Sequence, residues 1–308
     1  MFKRTLFPAL ALALLIAPLA SAQIIIKPRV EAPGSFETHL HFKVKQTLSI
    51  MGQDIDTASV RKVTSKTDVS KPDSNGNVTY STKYLAFENN LSLPGGVELK
   101  FDAKGENTPQ GTQLDFMLPL FTALSKSTTT IVHDKNGDIL NVEVKAVGLD
   151  TLDGQAKALL GGELDSDVLK EKAQSELDEF NDKPVKVGDS WESETTLDLG
   201  QGAMFELTST QKYIGAVQQD GKNLHQLEIK YTDVDFEQPA TTPGAPAVTD
   251  SDLKIIAGTN TLLFDAEKGR MVSSKLNLEV SGEFTLTISN MDLPAKLALE
   301  ITINQTNK

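Results

Sequence analysis

Hydrophobic and polar side chains alternate with a period of two over most of this chain. The two longest alternating runs place their apolar side chains at Leu40, Phe42, Val44, Leu48 and Ile50, and at Leu276, Leu278, Val280, Phe284, Leu286 and Ile288. Shorter runs occupy residues 97–101, 140–144 and 297–303. Because successive side chains of a strand point to opposite faces, each run buries one face and exposes the other, which is typical of antiparallel sheet. Gly282 interrupts the second run and predicts a bend or a bulge.

Four short polar segments between these runs predict hairpin turns, at residues 75–76, 134–137, 220–221 and 265–269. Each segment combines Asp or Asn with Gly. The Asp and Asn side chains accept hydrogen bonds from nearby backbone N–H groups, and Gly adopts the positive φ that tight hairpins require. We therefore expect a long meander of strands. Residues 238–249 contain three prolines and are predicted to form an exposed loop, not a strand.

The period becomes helical between residues 149 and 180. Ala156, Leu159 and Leu160 predict a short first helix that ends at two glycines. A second helix is predicted over residues 166–180, with an apolar stripe formed by Leu169, Ala173, Leu177 and Phe180. Acidic side chains cover its other face, which disfavours binding to an anionic membrane surface. We expect the stripe to pack on the concave face of the sheet.

These patterns predict a mainly β protein: a curved antiparallel sheet or half-barrel built from two similar β-halves, with a helical insert between them. The first β-half covers residues 35–148, the helical insert residues 149–184 and the second β-half residues 185–308. Residues 23–34 precede the strands and are expected to be flexible. The patterns leave open whether the two halves form one sheet or two.

Residues 1–22 have the features of a signal peptide. Lys3 and Arg4 give a positive start, an apolar run follows over residues 6–19, and Ala20-Ser21-Ala22 provides the small residues that signal peptidase accepts. The apolar run is shorter than the roughly 20 residues needed to span a bilayer. Cleavage is expected between Ala22 and Gln23, and without a cysteine after that bond the protein is not expected to be a lipoprotein. We expect a mature protein in the periplasm or outside the cell.

Two short motifs resemble those of a known family. They are Leu160-Gly161-Gly162-Glu163-Leu164 and the Pro-Val-Lys-Val-Gly-Asp-Ser-Trp segment over residues 184–191. Their order resembles that in an uncharacterised family of exported bacterial proteins, a domain of unknown function, over about residues 36–306. The resemblance implies a curved sheet akin to the LolA-like half-barrels of lipoprotein carriers, and it implies no activity. Trp191 is expected to pack on the concave or core face of the sheet.

Composition excludes several classes of function. The 308 residues carry a net charge of −12, and an acidic surface repels nucleic-acid phosphates. The absence of cysteine excludes disulfides, thiolate catalysis and iron–sulfur sites. His39 and His41 share one strand face and could bind a metal, but we interpret them as a solvated pair. Residues 134–138 partly resemble a calcium loop, yet they lack the glycine and glutamate spacing of an EF-hand, so the hairpin interpretation is preferred.

The acidic pairs Glu192/Glu194 and Asp233/Asp235 could each place two carboxylates on one strand face, as glycosidases require. In a chain with 42 acidic residues, such pairs are more simply interpreted as solubilising. No nucleophile elbow, phosphate loop or dinucleotide fingerprint is present in the sequence. We therefore predict no catalytic residue, no cofactor and no metal ligand, and the sequence leaves any ligand-binding residues unknown.

Three functions remain open. The leading hypothesis is an exported, non-enzymatic cell-envelope protein whose curved sheet binds an apolar small molecule, a lipid or a segment of a lipoprotein or other envelope partner. The first alternative is an outer-membrane β-barrel, which shares the alternating strands. The second is an envelope hydrolase without a recognisable motif, because active sites assemble from distant residues.

Overall fold

The computed structural model describes residues 23–149, 152, 154, 166–178, 180–200, 203–238, 247–288 and 291–308. These residues form twelve strands, two α-helices and a short 3₁₀ turn. The strands are β1 (Gly34–Ile50), β2 (Gln53–Val69), β3 (Val78–Leu93), β4 (Val97–Asp102), β5 (Thr128–His133), β6 (Ile139–Lys145), β7 (Ser190–Gly200), β8 (Ala203–Gln219), β9 (Lys222–Glu237), β10 (Ala247–Asp265), β11 (Arg270–Ile288) and β12 (Met291–Asn307). The helices are α1 (Met117–Ser125) and α2 (Ser166–Asp178), and the turn is Pro94–Gly96. The mainly β prediction is confirmed.

All twelve strands belong to one antiparallel sheet. Its order is β6-β5-β3-β2-β1-β12-β11-β10-β9-β8-β7, and β4 pairs with the other end of β3 from β5. The chain runs outward from the centre to β6, crosses to β7 at the opposite edge and returns to the centre at β12. Pairing of β1 with β12 joins the two halves into one sheet. Within the described residues the two edge strands do not pair with each other, so the sheet is not closed.

The four predicted hairpin turns are confirmed. In the turn between β8 and β9, Asp220 and Gly221 both have positive φ, 49° and 75°. In the turn between β5 and β6, the Asp134 carboxylate accepts hydrogen bonds from the backbone N–H groups of Asn136 and Asp138. A fifth turn, which lacks Asp and Asn, joins β1 to β2.

Two expectations for the second half are wrong. Gly282 pairs in regular register with Leu253, and a Cβ at this position would lie 2.1 Å from the Asp252 carbonyl oxygen. The glycine therefore permits close approach of β10 and β11 and forms no bulge. The predicted exposed loop is shorter than expected, because Val248 of β10 pairs with Gln238. Residues 239–246 of that loop lie outside the described residues.

The described helix of the insert, α2, contacts the two edge strands, β6 and β7. Its apolar stripe is only half-buried, and no side chain of the helix is fully buried. Phe180, two residues beyond the helix, does pack on the inner side of the sheet, with its ring 6.1 Å from that of Phe264. The helix thus lies along the gap between the sheet edges, and the expected docking of its whole stripe on the concave face is not observed. The first predicted helix falls outside the described residues.

Three groups of buried side chains stabilise the fold. The first core lies on one face of β8–β12 and includes Phe205, Val280 and Ile301. The second core joins β3, β4 and α1 and includes Leu99 and Phe121. A third core joins β8, β9, β10 and the segment before β1. The core residues of the strands are apolar members of the alternating runs, because the apolar side chains on one face of a strand pack against those of its neighbours.

Candidate functional site

The inner face of the sheet is the face that carries the first core. Residues directly opposite each other in an antiparallel pair share a face, so the strand register assigns this face to every strand. Phe42 of β1 lies opposite Ile303 of β12 on one side and Arg61 of β2 on the other, and Arg61 lies opposite Asn89 of β3. On β2, Ile55, Thr57, Ser59 and Arg61 therefore all lie on the inner face.

Burial on this face decreases sharply toward β2. One row across the sheet begins at buried Leu297 of β12, continues to half-buried Leu48 of β1 and ends at Ile55 of β2, which is 36% exposed. A second row begins at buried Ile301 and crosses three half-buried residues before burial returns at Leu99 of β4. Those three residues are Val44, Ser59 and Leu91. The inner face is therefore a packed core at β12 and at β4 but an accessible surface between them.

We call this accessible strip the β2 trough. Its floor consists of the inner-face residues of β2, Ile55, Thr57, Ser59 and Arg61. Its sides are the half-buried inner-face residues Phe42, Val44, Gln46, Leu48 and Ile50 of β1, and Leu91 and Leu93 of β3. At the usual strand rise, the six residue steps from Ile55 to Arg61 correspond to roughly 20 Å.

The trough opens at the end of the sheet where β1 turns into β2, which we call the open end. Met51 in that turn is 79% exposed, and Met291 at the start of β12 is also exposed. A separate cavity of about 470 Å³ at this end is lined mostly by outer-face residues such as Ser49, Glu283 and Lys296, so it does not belong to the trough. Both residues of the turn, Met51 and Gly52, have positive φ, so the tight turn projects the Met51 side chain from the tip of the hairpin.

Arg61 lies at the inner end of the trough. Its guanidinium is 5.9 Å from the centre of the Phe87 ring, a cation–π distance. Within the described residues no carboxylate lies within 4 Å of it, whereas its neighbour Lys62, on the outer face, is 3.4 Å from Glu88. Asn89, across the strand pair from Arg61, is 1% exposed, and its amide oxygen is buried without a hydrogen-bond partner. The inner end of the trough therefore combines a free cation with an unsatisfied polar group.

The opposite end of the sheet, the closed end, is covered by residues 23–34, which we call the strap. Ile24 forms a two-way backbone hydrogen-bonded bridge with Val185, and Ile26 is 1% exposed within the third core. The Arg29 N–H donates to the Gly269 carbonyl at 2.9 Å. The flexibility expected for this segment stays a prediction; in the structure, Ile26 buries its side chain and the backbone N–H groups of Ile24 and Arg29 donate to carbonyl oxygens.

Glu31 and Arg270 hold the end of the strap that leads into β1. Their side chains are 3.1 Å apart and largely buried. The Glu31 N–H also donates to the Tyr80 hydroxyl at 2.7 Å, and the Arg270 guanidinium lies 4.8 Å from the Phe36 ring centre. Burial raises the pKa of the Glu31 carboxyl above its usual 4.5, although the nearby Arg270 opposes this shift. The strap is therefore attached by a partly desolvated ion pair as well as by apolar contacts.

The candidate metal residues of the sequence do not form a metal site in the described residues, where no group of three or more His, Asp or Glu side chains could hold an ion. His39 and His41 lie on the outer face of β1, and His39 Nδ1 is 3.2 Å from the Thr64 hydroxyl. Burial lowers the pKa of His41, and Lys43 and Lys62 add to this effect. Asp134 acts as the hairpin residue that we predicted.

The acidic pairs Glu192/Glu194 and Asp233/Asp235 are exposed on β7 and β9 and are not brought together with each other by the strand order. Trp191 lies on the inner face of β7 and packs against the third core, as expected, with its indole N–H buried and unpaired. The trough residues were not identified from the sequence. The signal was present in β2, where polar Thr57 and Ser59 and charged Arg61 occupy positions that are apolar in β11 and β12.

The chain is similar to one family model in sequence and to several solved structures in fold. Residues 75–215 match the model of a family of unknown function (DUF6263). This range includes the Pro-Val-Lys-Val-Gly-Asp-Ser-Trp segment over residues 184–191. No curated protein matches the chain in sequence. Similar solved structures include lipovitellin, in a study of its lipid–protein interactions (10% identity, TM-score 0.45), the translocator domain of the autotransporter NalP from Neisseria meningitidis (7% identity, TM-score 0.22), and a DUF1329 family protein from Desulfovibrio piger ATCC 29098 (8% identity, TM-score 0.14).

The similarity to lipovitellin covers 90% of this chain and 25% of that chain, so this protein spans about a quarter of the lipovitellin length. The similarity to the NalP translocator domain covers 88% of this chain and 88% of that chain. The similarity to the DUF1329 family protein covers 88% of this chain and 85% of that chain. All three TM-scores are too low to support a functional comparison. Within the part of the chain that the structure describes, no helix is long and apolar enough to cross a membrane.

Proposed function

We propose that this protein is an exported, non-enzymatic cell-envelope protein that binds the acyl chain of a lipid in the β2 trough. The observation that carries the proposal is the loss of burial along the inner face, from the packed residues of β12 to the exposed Ile55 of β2. An alternating strand in a folded sheet normally buries its inner face. A strip of that face left accessible between two cores is a surface that a ligand can cover.

The chemistry of the strip favours an apolar chain. Its sides are, except for Gln46, aliphatic or aromatic side chains of β1 and β3. Its open end carries two exposed methionines, which adapt to flexible apolar partners. Removing apolar surface from water stabilises a complex by about 25 cal/mol per Å². A narrow strip open at one end fits an extended chain better than a globular ligand. The proposal thus resembles the role of LolA-like carriers, which bind apolar parts of lipoproteins.

Export is part of this proposal and rests on the signal-peptide features of residues 1–22. A hydrolase with a motif-free active site stays the alternative. Fractionation of cells that express the full chain tests export: we expect the mature protein, beginning at Gln23, in the periplasm or the medium. A protein that remains in the cytoplasm with Met1 intact contradicts this part of the proposal.

Binding is tested with a fluorescent fatty-acid probe and two matched variants. Ile55→Asp places a carboxylate on the trough floor, and we expect probe affinity to fall at least tenfold. Ile256→Asp makes the same change at an exposed bulge of β10, away from the trough, and affinity should not change. Circular dichroism verifies that both variants fold. Equal binding by the two variants, or no uptake by the unmodified protein, overturns the proposal, and hydrolysis of ester substrates would favour the alternative.

A further inference from the structure

The inner end of the trough contains two polar groups that the fold itself does not satisfy. Arg61 is exposed on the inner face and has no carboxylate partner within the described residues, in a chain whose acidic residues outnumber its basic ones by 42 to 30. Asn89 beside it is almost fully buried, and its amide oxygen lacks a donor. Buried polar groups are nearly always hydrogen-bonded, so an unpaired one next to a free cation indicates a missing partner.

Among the described residues, the surroundings of Arg61 on the inner face are neutral. Its cross-strand neighbours are Phe42 and Asn89, its neighbours along β2 on the same face are Ser59 and Val63, and its guanidinium faces the Phe87 ring. The lysine and acid pairs of this region, such as Lys62 and Glu88, lie on the other face. A guanidinium held over an aromatic ring keeps its N–H donors available to a planar anion.

We infer that Arg61 and Asn89 bind the carboxylate head group of a fatty acid whose chain lies along the β2 trough. The inference rests on the proposed function and adds the head-group chemistry and its position. The carboxylate accepts hydrogen bonds from the Arg61 guanidinium. The Asn89 amide, whose oxygen and nitrogen exchange places by a half-turn of the side chain, turns its NH₂ group toward the second oxygen. The chain then runs past Ser59 and Thr57 to Ile55 and leaves at the open end.

Charge complementarity selects this occupant over a neutral lipid. A neutral ligand would leave the guanidinium unpaired on a face that is otherwise apolar or neutral, whereas a carboxylate pairs with it. The remaining surface of the chain is acidic and provides no comparable unpaired cation on the inner face of β1 or β3. The affinity difference between an ionised carboxylate and an alcohol of the same length therefore reports on Arg61.

The test uses the full mature chain and two probes, dodecanoate and dodecanol, titrated at about pH 8, where an ordinary carboxyl group is ionised. We expect the unmodified protein to bind dodecanoate about tenfold tighter than dodecanol, and added salt should reduce this preference. Arg61→Gln should abolish the preference, so that the variant binds the two probes with similar affinity. Lys62→Gln removes the same charge from the adjacent residue on the outer face and should retain the preference.

Ser59→Asp is the second variant, because it leaves Arg61 in place and puts a competing carboxylate beside it. It should lower dodecanoate affinity by a larger factor than dodecanol affinity, and circular dichroism verifies folding of every variant. If both probes bind the unmodified protein equally, or if Arg61→Gln keeps the preference, the inference is overturned and the trough proposal stands. If neither probe binds the unmodified protein, the trough proposal and the inference both fail.

Discussion

The two ends of this sheet are built from the same alternating strands, but the apolar side chains are buried at one end and exposed at the other. At the closed end the strap crosses the sheet and Ile26 enters the third core, so the apolar positions there are buried. At the open end no described segment covers β2, and Ile55 and Met51 face solvent. Alternation determines which face is apolar, but a covering segment determines whether that face becomes a core. The open end is therefore where a ligand can take the place of the strap.

The largest difference between the two ends is expected from matched truncations of isoleucine. Ile26→Ala leaves a cavity under the strap and should lower the free energy of unfolding by about 2–5 kcal/mol. Ile55→Ala removes a side chain that is already partly in water and should cost about 1 kcal/mol or less. Urea denaturation of both variants measures the difference. Equal losses would mean that the two ends are equally packed and would contradict the comparison.

Two glycines with positive φ provide a second matched pair. Gly269 at the closed end has φ +67°, and a Cβ there would lie 2.7 Å from the Arg29 Cβ of the strap. Gly52 at the open end has φ +78° and no atom within 4 Å of a Cβ. Gly52→Ala should cost the backbone strain of about 1–2 kcal/mol, and Gly269→Ala should cost more because the strap must move as well. Thermal melting decides the order, and a larger loss for Gly52→Ala would show that the strap contact is unimportant.

The ion pair of the strap gives the closed end a pH dependence of its own. The pKa of Glu31 is raised from 4.5 by burial, so between pH 4.5 and the higher folded pKa the native state holds more protons than the unfolded state. Stability contributed through Glu31 must therefore fall as the pH rises through that window. Glu31→Gln cannot ionise and should show a smaller fall, measured by urea midpoints from about pH 4 to about pH 8.

Asp56→Asn provides the control for this experiment, because it removes an exposed carboxylate at the open end. Its urea midpoints should follow those of the unmodified protein. If Glu31→Gln and the unmodified protein lose stability equally over the same range, the Glu31 carboxyl is not desolvated by the strap.

The smallest effect is expected at the tip of the open end. Met51 and Met291 are mostly in solvent, so the double change Met51→Ser and Met291→Ser should alter stability by less than about 0.5 kcal/mol. The same change removes apolar surface at the mouth of the trough and should weaken binding of the fatty-acid probe. A large loss of stability would instead mean that these side chains are part of a core.

The strands and most turns were predictable because their signals are local. The period-two runs of β1 and β11, and the Asp-Gly turn at residues 220–221, all lie within a few residues of the structure that they specify. The pairing of β1 with β12 was not predictable, because two strands more than 240 residues apart carry no joint signal in one sequence. The same limit explains why one sheet or two stayed an open question.

Helix α1 and the strap were missed for a different reason. Residues 117–125 are apolar on nearly every side and have no helical period, because α1 is enclosed by the second core. The strap contains Pro28 and Pro33 and no strand pattern, and only its contacts with Val185 and Gly269 reveal its position. The trough was not predicted because it exists only where no other described segment covers β2. The positions of those segments depend on the whole fold.

The single tryptophan of the chain allows the central claim to be tested directly, because Trp191 packs at the third core and so reports on the closed-end side of the inner face. A fatty acid with a brominated chain quenches tryptophan fluorescence on contact. If this fatty acid binds in the β2 trough, it should leave the emission of the native Trp191 unchanged. It should quench the emission of a tryptophan introduced by Ile55→Trp in a protein that also carries Trp191→Phe. Quenching of Trp191 without quenching at residue 55 would place the ligand elsewhere and contradict the account.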